Sequence, residues 1–375
     1  IDLSRVWFGP GQVHQTFSIR HLKPSLWLQF LSDKQTMSSP LLAWLHAHLW
    51  LALPIPTHSF AGQTIIITGA NTGLGLEAAR YFVRLEAAKV ILGVRSQAKG
   101  QQAVEDIKNS PTAGGVRLPD TALEVWEVDL ASAKSVEAFA ARARTELDRL
   151  DVVVCNAGVY AFGGFELVDG NERTITVNVV NTFLMAMLLL PMLRDTATKY
   201  NKEPVLTFTG SFIHFLTSFP ERSGGKDRRI LRDLADEKQA RMQDRYRVSK
   251  MIQLLLVREL ANALSASSKP GKIITSTVNP GFVNTGLMNE APARMQVVVA
   301  GLKRMTARTP EEGARTMVHA AAGSMDTHGQ YLSECKVSEP STFVRSEEGI
   351  EVGKQLWEEL GTILEEKYPT AMSNV

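Results

Sequence analysis

The sequence predicts an α/β protein built on a doubly wound parallel sheet, folded as one domain. Three observations predict it. From Phe60 onward, short runs rich in Val and Ile alternate with amphipathic helical stretches, which is the pattern of repeated β-α units. The first run, Ile65-Ile66-Ile67, breaks at once into the turn Thr68-Gly69-Ala70-Asn71-Thr72-Gly73-Leu74-Gly75, and a helical pattern carried by Leu76, Ala79, Phe82 and Val83 follows. The 375 residues, 44% hydrophobic and 21% charged, supply a large core and an ordinary soluble composition.

Residues 1–60 stand apart as an N-terminal extension, rich in Trp and His and punctuated by Pro24, Pro40, Pro54 and Pro56. The apolar patch at 41–53 is shorter than the roughly 20 residues that span a bilayer. It also lacks the charged entry and small-residue exit of a signal peptide. It reads either as a helix packed on the domain or as a shallow anchor making weak contact with a membrane surface. Met37 reads as a candidate start, which would leave residues 1–36 outside the protein. The α/β domain is assigned to 61–290. After the first strand, further strands are expected at 90–94, 123–128, 151–154, 205–209 and 272–278. Helices are expected at 96–108, 132–147, 177–193 and 246–264, with a loop at 109–120. Residues 291–375 are read as a C-terminal helical segment packed on the same domain and supplying part of a substrate lid. In such a sheet the strand C-termini share one edge, and ligands bind there.

Composition excludes several classes of function. With 41 Lys and Arg against 39 Asp and Glu, the net charge of +2 gives no field for nucleic acid. Two cysteines, Cys155 and Cys335, make no disulfide framework and suit a reducing, cytoplasmic setting. No cluster of Cys and His has metal-ligand spacing, and His46 and His48, two apart, do not share a helix face.

Strand, glycine turn, helix is how a chain builds a cradle for a phosphate: glycines admit the anion, and the free N–H groups of the new helix face it. Gly69, Gly73 and Gly75 are spaced T-G-x-x-x-G-x-G rather than G-x-G-x-x-G. Tyr246 and Lys250 stand four apart, on one face of the expected helix. A phenol has a pKa of about 10, and a nearby ammonium favours its ionised form, which turns it into an acid–base group. The alternative is a surface Tyr with a chance Lys. Ser211 follows the strand at 205–209, on the ligand-facing edge, where its hydroxyl either positions a substrate oxygen or caps a helix. Asn178 lies in an otherwise apolar helix and is either a structural tie or part of a proton relay.

Together these pieces resemble the short-chain dehydrogenase/reductase superfamily, classical type. The matching motifs are Thr68-Gly69-x-x-x-Gly73-x-Gly75, Asn156-Ala157-Gly158, Asn178, Ser211, Tyr246-x-x-x-Lys250 and Pro280-Gly281-x-Val283-x-Thr285, covering about residues 62–286. Gly329-Gln330-Tyr331-Leu332 and Phe343-Val344-Arg345-Ser346 resemble the fungal retinol-dehydrogenase-like members. The resemblance implies a Rossmann-type fold, hydride transfer between a nicotinamide cofactor and a small carbonyl or alcohol, and a role in fungal secondary metabolism. Tyr246 is implied as the acid–base catalyst, with Lys250 lowering its pKa and bonding the nicotinamide ribose. Ser211 would position the substrate oxygen, and Asn178 would hold a water linked to Lys250. Gly69, Asn71, Thr72, Gly73, Leu74 and Gly75 would cradle the cofactor phosphates. Asp129 would bond the adenine, Asn156 would brace the central strand, and Val283 and Thr285 would close over the nicotinamide. Cys155 replaces the first Asn of the usual Asn-Asn-Ala-Gly, and Gly210 replaces the first Ser of a common Ser-Ser pair.

For the choice of cofactor, Val94 stands where NAD-preferring relatives carry Asp, and Arg95 follows it. The Arg95 guanidinium, helped by Lys99 one helical turn on, would grip a 2′-phosphate, which predicts NADP(H). The alternative is a solvated basic helix start. The insertion at 212–245 is expected to cover the substrate, its apolar part (Phe212, Ile213, Phe215, Leu216, Phe219) favouring a hydrophobic or aromatic molecule and its charged part forming a solvated face. A second lid is expected at 287–298. A regulator that kept the fold and lost turnover would lack part of the Asn178, Ser211, Tyr246, Lys250 set. A membrane-bound enzyme on lipidic substrates is the other alternative.

Overall fold

The alternating pattern resolves into a mixed, almost wholly parallel sheet sandwiched between helices. A computed structural model describes residues 48–110, 121–222, 229–288 and 291–375. The expectations for residues 1–47 and 111–120 lie outside that range, including Met37, His46 and most of the apolar patch. In chain order the strands are β1 (Thr64–Thr68), β2 (Lys89–Val94), β3 (Ala122–Glu127), β4 (Val152–Cys155), the small hairpin β5 (Leu167–Val168) and β6 (Asn171–Glu172), β7 (Val205–Thr209), β8 (Ile274–Asn279), β9 (Tyr331–Ser333) and β10 (Lys336–Ser338). The main sheet runs β3-β2-β1-β4-β7-β8-β9-β10, parallel throughout except for the antiparallel β9/β10 pair. The order reverses between β1 and β4, so their C-terminal ends open the crevice where such sheets bind ligands.

Every residue of β1 is buried, and its period of two divides two cores. Ile65 and Ile67 face the cluster holding Ala78 and Phe82 of α1 (Gly73–Arg84), Val104 and Ile107 of α2 (Gln97–Lys108), and Met317 of α7 (Pro310–Ala321). Ile66 faces the opposite cluster, with Phe139 of α3 (Ala133–Glu146), Leu184 of α4 (Arg173–Tyr200), Leu255 of α5 (Met242–Ala266) and Leu360 of α8 (Glu347–Lys367). Each of the larger side chains among these, Ala78 aside, contributes roughly 1.5–3 kcal/mol of burial. The remaining long helix, α6 (Ala293–Thr306), precedes α7 and carries exposed Met295, Val297 and Met305.

Three features depart from the expectations. The sequence pattern yields six strands, whereas the C-terminal segment adds β9 and β10 to the sheet edge besides its helices. The helix expected at 177–193 runs from Arg173 to Tyr200 and contains a π-helical turn at Thr176–Val180. Among the described residues it is the one helix long and apolar enough to cross a membrane, yet 94% of its apolar window is buried, so it serves as the core helix of the fold. The insertion after β7 does not lie wholly over the sheet edge: Phe219 is fully buried and packs edge-on to Phe343, and Glu221 and Arg245, within the run read as solvated, are buried too.

Asp151, just before β4, locks the sheet from below. Its carboxylate accepts the Thr64 N–H at 2.8 Å and pairs with Arg149, while it is only 4% exposed. Asp151→Ala leaves a buried donor without an acceptor, a loss of about 1–3 kcal/mol. We expect its urea midpoint to fall well below that of wild type, with Asp151→Asn in between because it keeps an acceptor for Thr64.

Candidate active site

The glycine turn is shaped by conformation and by space. Gly69 and Gly73 take φ of +67° and +58°, a region other residues enter at a cost. At Gly75 the constraint is room: a Cβ there would lie 2.4 Å from the Gly69 carbonyl oxygen. Thr72 precedes α1 but makes no side-chain cap, whereas Ser96, Ser132, Thr309 and Ser346 all cap their helices. The first turn of α1 also lacks any acidic residue. Its amides are therefore left for an anion, and the turn fits a phosphate. Asn71 is half-buried and Thr72 exposed at its rim.

The 280–285 loop lies against this turn. The Thr285 methyl is 3.4 Å from where a Cβ of Gly73 would sit, and Val283 and Leu74 pack on Gly313 of α7. Val283 bridges to Arg308, and the Thr285 carbonyl accepts from Lys303 Nζ at 2.7 Å. From the N-terminal side His48 Nε2 accepts the Phe282 N–H at 2.7 Å.

Asn156 joins the strand ends. Its Nδ2 donates to the carbonyls of Thr68 (2.9 Å) and Gly69 (3.4 Å), and Thr68 Oγ1 accepts the N–H groups of Asn156 and Ala157, both at 3.0 Å. Thr209 Oγ1 donates to Asn156 Oδ1 at 3.5 Å, extending the tie to β7. Beyond β2, Arg95 and Lys99 are exposed around the start of α2, and no acidic side chain among the described residues pairs with either. Asp129, two residues past β3, is half-buried. Its Oδ1 accepts the Ala131 N–H at 2.9 Å, and its own N–H donates to Ser135 Oγ.

Tyr246 and Lys250 share a buried face of α5. Lys250 Nζ donates to the Thr209 carbonyl (2.6 Å) and to Gln253 Oε1 (3.2 Å), and it stands 5.9 Å from the Tyr246 ring centroid. Asn178 sits in the π turn. Its Oδ1 accepts the Val159 N–H at 2.8 Å, and its Nδ2 donates to the Val159 carbonyl and to Ser249 Oγ. The side chain thus reads the Val159 backbone as a strand would. Gly158 leaves room for this pairing, since a Cβ there would come within 3.1 Å of Asn178 Oδ1 and press it aside. The Asn178 carbonyl accepts from Gln253 Nε2 at 3.3 Å, so its link to Lys250 runs through a side chain.

The electrostatics correct one expectation. Burial, with Tyr160 adding to it, pushes the Tyr246 phenol well above its usual range instead of Lys250 drawing it down. The cause is geometric: the ammonium is directed at Thr209 and Gln253, and desolvation penalises phenolate and ammonium alike, pulling Lys250 down to about 8. Tyr160 stacks on Tyr246 at 4.6 Å between centroids and on Phe162 at 4.2 Å, forming a three-ring column.

Ser211 lies at the β7 edge, and its Oγ caps a 3-10 turn by accepting the Ile213 N–H at 3.3 Å, the capping alternative of the sequence. Two residues that support it escaped the sequence reading. His214, 1% exposed, donates from Nδ1 to the Ser211 carbonyl (2.7 Å) and accepts the Ser341 N–H at Nε2 (3.2 Å). Asn279 Oδ1 accepts the N–H groups of Phe212 and Gly281, at 3.0 and 3.1 Å, joining the serine loop to the 280–285 loop.

A Rossmann-type sheet, a glycine phosphate turn and a buried Tyr–Lys face define a nucleotide-dependent oxidoreductase. Residues 63–199 match the family model of the short chain dehydrogenases. A short chain dehydrogenase/reductase of Cryptosporiopsis sp. is 41% identical over 335 residues, 89% of this chain and 100% of its own length. The short chain dehydrogenase atnD of Emericella nidulans is 46% identical over 285 residues, 75% of this chain and 87% of its own. Solved structures share the fold at lower identity: a short-chain type dehydrogenase/reductase from Mycobacterium marinum (21% identical, TM-score 0.54, covering 73% of this chain and 94% of that one) and Pseudomonas aeruginosa RhlG in an NADP complex (20%, 0.54, 74% and 96%). The chain belongs to the short-chain dehydrogenase/reductase family, and as such is an oxidoreductase acting on a small molecule with a nicotinamide cofactor.

Burial pulls the His214 imidazole from 6.5 down to about 4. Between these values the unfolded chain takes up a proton that the folded chain refuses, so this part of the stability is present above pH 6.5 and lost as pH falls toward 4. We expect the gap in unfolding free energy between wild type and His214→Gln to shrink from pH 7 to pH 5. A constant gap in urea titrations at the two values would contradict this.

Proposed function

We propose that the protein is an NADP(H)-dependent enzyme that interconverts a carbonyl and the matching primary or secondary alcohol on a hydrophobic or aromatic small molecule. The observation that carries this reading is the Tyr246–Lys250 face, buried at the carboxyl edge of the sheet beside the Ser211 turn. The Tyr160–Phe162 rings stacked against Tyr246, and half-buried Phe212 and Phe215, support an apolar or aromatic substrate. Exposed Arg95 and Lys99, next to Val94 rather than a carboxylate, support NADP(H). The reading places the enzyme in the cytoplasm and in fungal secondary metabolism.

In this mechanism a bound nicotinamide supplies or takes up the hydride. Residues 69–75 would hold its phosphates, Arg95 and Lys99 its 2′-phosphate, Asp129 the adenine, and Val283 and Thr285 its nicotinamide end. Ser211 Oγ hydrogen-bonds the substrate oxygen. As hydride reaches the carbonyl carbon, the Tyr246 hydroxyl gives its proton to the oxygen, and in the reverse direction it takes that proton back. Its raised pKa keeps it protonated at neutral pH, which suits the donor role. Lys250, as a cation 5.9 Å from the ring centroid, offsets only part of the desolvation of the phenolate that remains, so burial still keeps the phenol's pKa raised.

Fluorescence titration with NADPH and NADH tests the cofactor. We expect tighter NADPH binding that weakens roughly tenfold or more in Arg95→Ala, about the worth of one charge-assisted contact; equal affinity for both nucleotides would remove the Arg95 assignment. On a panel of aromatic and aliphatic ketones, Tyr246→Phe should lose about 10²–10⁴-fold in kcat while still binding NADPH. Turnover that survives this change would overturn the role of Tyr246.

A further inference from the structure

We infer that Gln253 is a positioning residue for Lys250: its amide clamps the ammonium to the main-chain carbonyl of Asn178 and holds the lysine in place and charged. Gln253 lies one turn beyond Lys250 on α5 and is 1% exposed, and Lys250 is 4% exposed. Its Oε1 faces Lys250 Nζ at 3.2 Å and its Nε2 faces the Asn178 carbonyl at 3.3 Å. That pairing fixes which way the amide points. Flipped, it would set N–H groups against an ammonium and an oxygen against a carbonyl.

Any buried amide needs partners, and a core Gln with no further role is the plain alternative. The identity of these partners is what distinguishes the two. One is a residue of the proposed acid–base pair, and the other belongs to the π turn that carries Asn178. An ammonium has three donors, and the Thr209 carbonyl and Gln253 Oε1 engage two of them. The groups facing Lys250 give it little other help. Tyr246 on the same helix is a phenol held neutral, and Tyr160 from the adjoining loop stacks on Tyr246. Among the described residues no carboxylate offsets its desolvation. Neutral acceptors therefore keep the buried lysine cationic, and Gln253 is the side-chain member of that set.

The effect on turnover rests on the proposed roles of Tyr246 and Lys250, whereas the effect on Lys250 itself does not. The test therefore reads both. Full-chain protein labelled with ¹³C at lysine Cε, its Lys250 signal assigned through Lys250→Met, is titrated by NMR as wild type, Gln253→Met and Gln253→Glu. Loss of an acceptor in Gln253→Met should lower the Lys250 midpoint by about one pH unit. Gln253→Glu, which places a carboxylate beside the ammonium, should raise it by at least as much. In turnover assays the high-pH limb of kcat should move the same way in each variant, with KM for the carbonyl substrate little changed. If Gln253→Met does not fold, the rise in Gln253→Glu still decides. A Lys250 midpoint that stays put in a folded variant, with only thermal stability lost, overturns the inference and leaves Gln253 a core amide. If the midpoints move as expected but wild type turns over no carbonyl, the inference stands and the proposed reaction fails.

Discussion

Where β1 and β4 end side by side, their chains part, and the peptide groups exposed by that parting must be satisfied without closing the crevice. Thr68 and Asn156 do this between them. One hydroxyl accepts two N–H groups of the 156–157 segment, and one amide donates back across the gap to the glycine turn. Through Thr209 the same amide reaches β7, whose last carbonyl receives Lys250. The glycine turn, the Asn156-Ala157-Gly158 segment and the lysine are therefore referred to one polar knot. Displacing it would move the glycine turn and the Tyr246–Lys250 face together.

The fold was largely legible because its central strands follow simple rules. Ile65-Ile66-Ile67 and the Val-rich run before Cys155 are short, β-branched and bounded by Gly or Asn, and the strand at Val205–Thr209 has the limits its pattern indicates. The edge hairpin was not legible. Its strands are three residues each, too short to display alternation, and its turn is Glu334-Cys335, both at positive φ, where Asn-Gly would have been the usual signal.

The site divides in the same way. The glycine turn and the Tyr246–Lys250 pair announce themselves through local spacing. His214 and Asn279 take partners 127 and 54 residues away, and nothing local marks them. Gln253 lies within reach of the Tyr–Lys spacing, but a lone Gln in an apolar helix has no pattern that names its partner. The electrostatic expectation erred for a related reason: four-residue spacing fixes which face two side chains share, whereas burial decides which protonation state survives there.

The π turn at Thr176–Val180 has an evolutionary corollary. Such a turn amounts to a helix carrying one residue more than its path requires. Losing a single codon within it would return the segment to regular winding and swing the Asn178 amide away from Val159, while residues 181–200 could keep their place in the core. One lineage could thus gain or shed the clamp on the Val159 backbone by an indel, leaving the surrounding scaffold to be inherited intact.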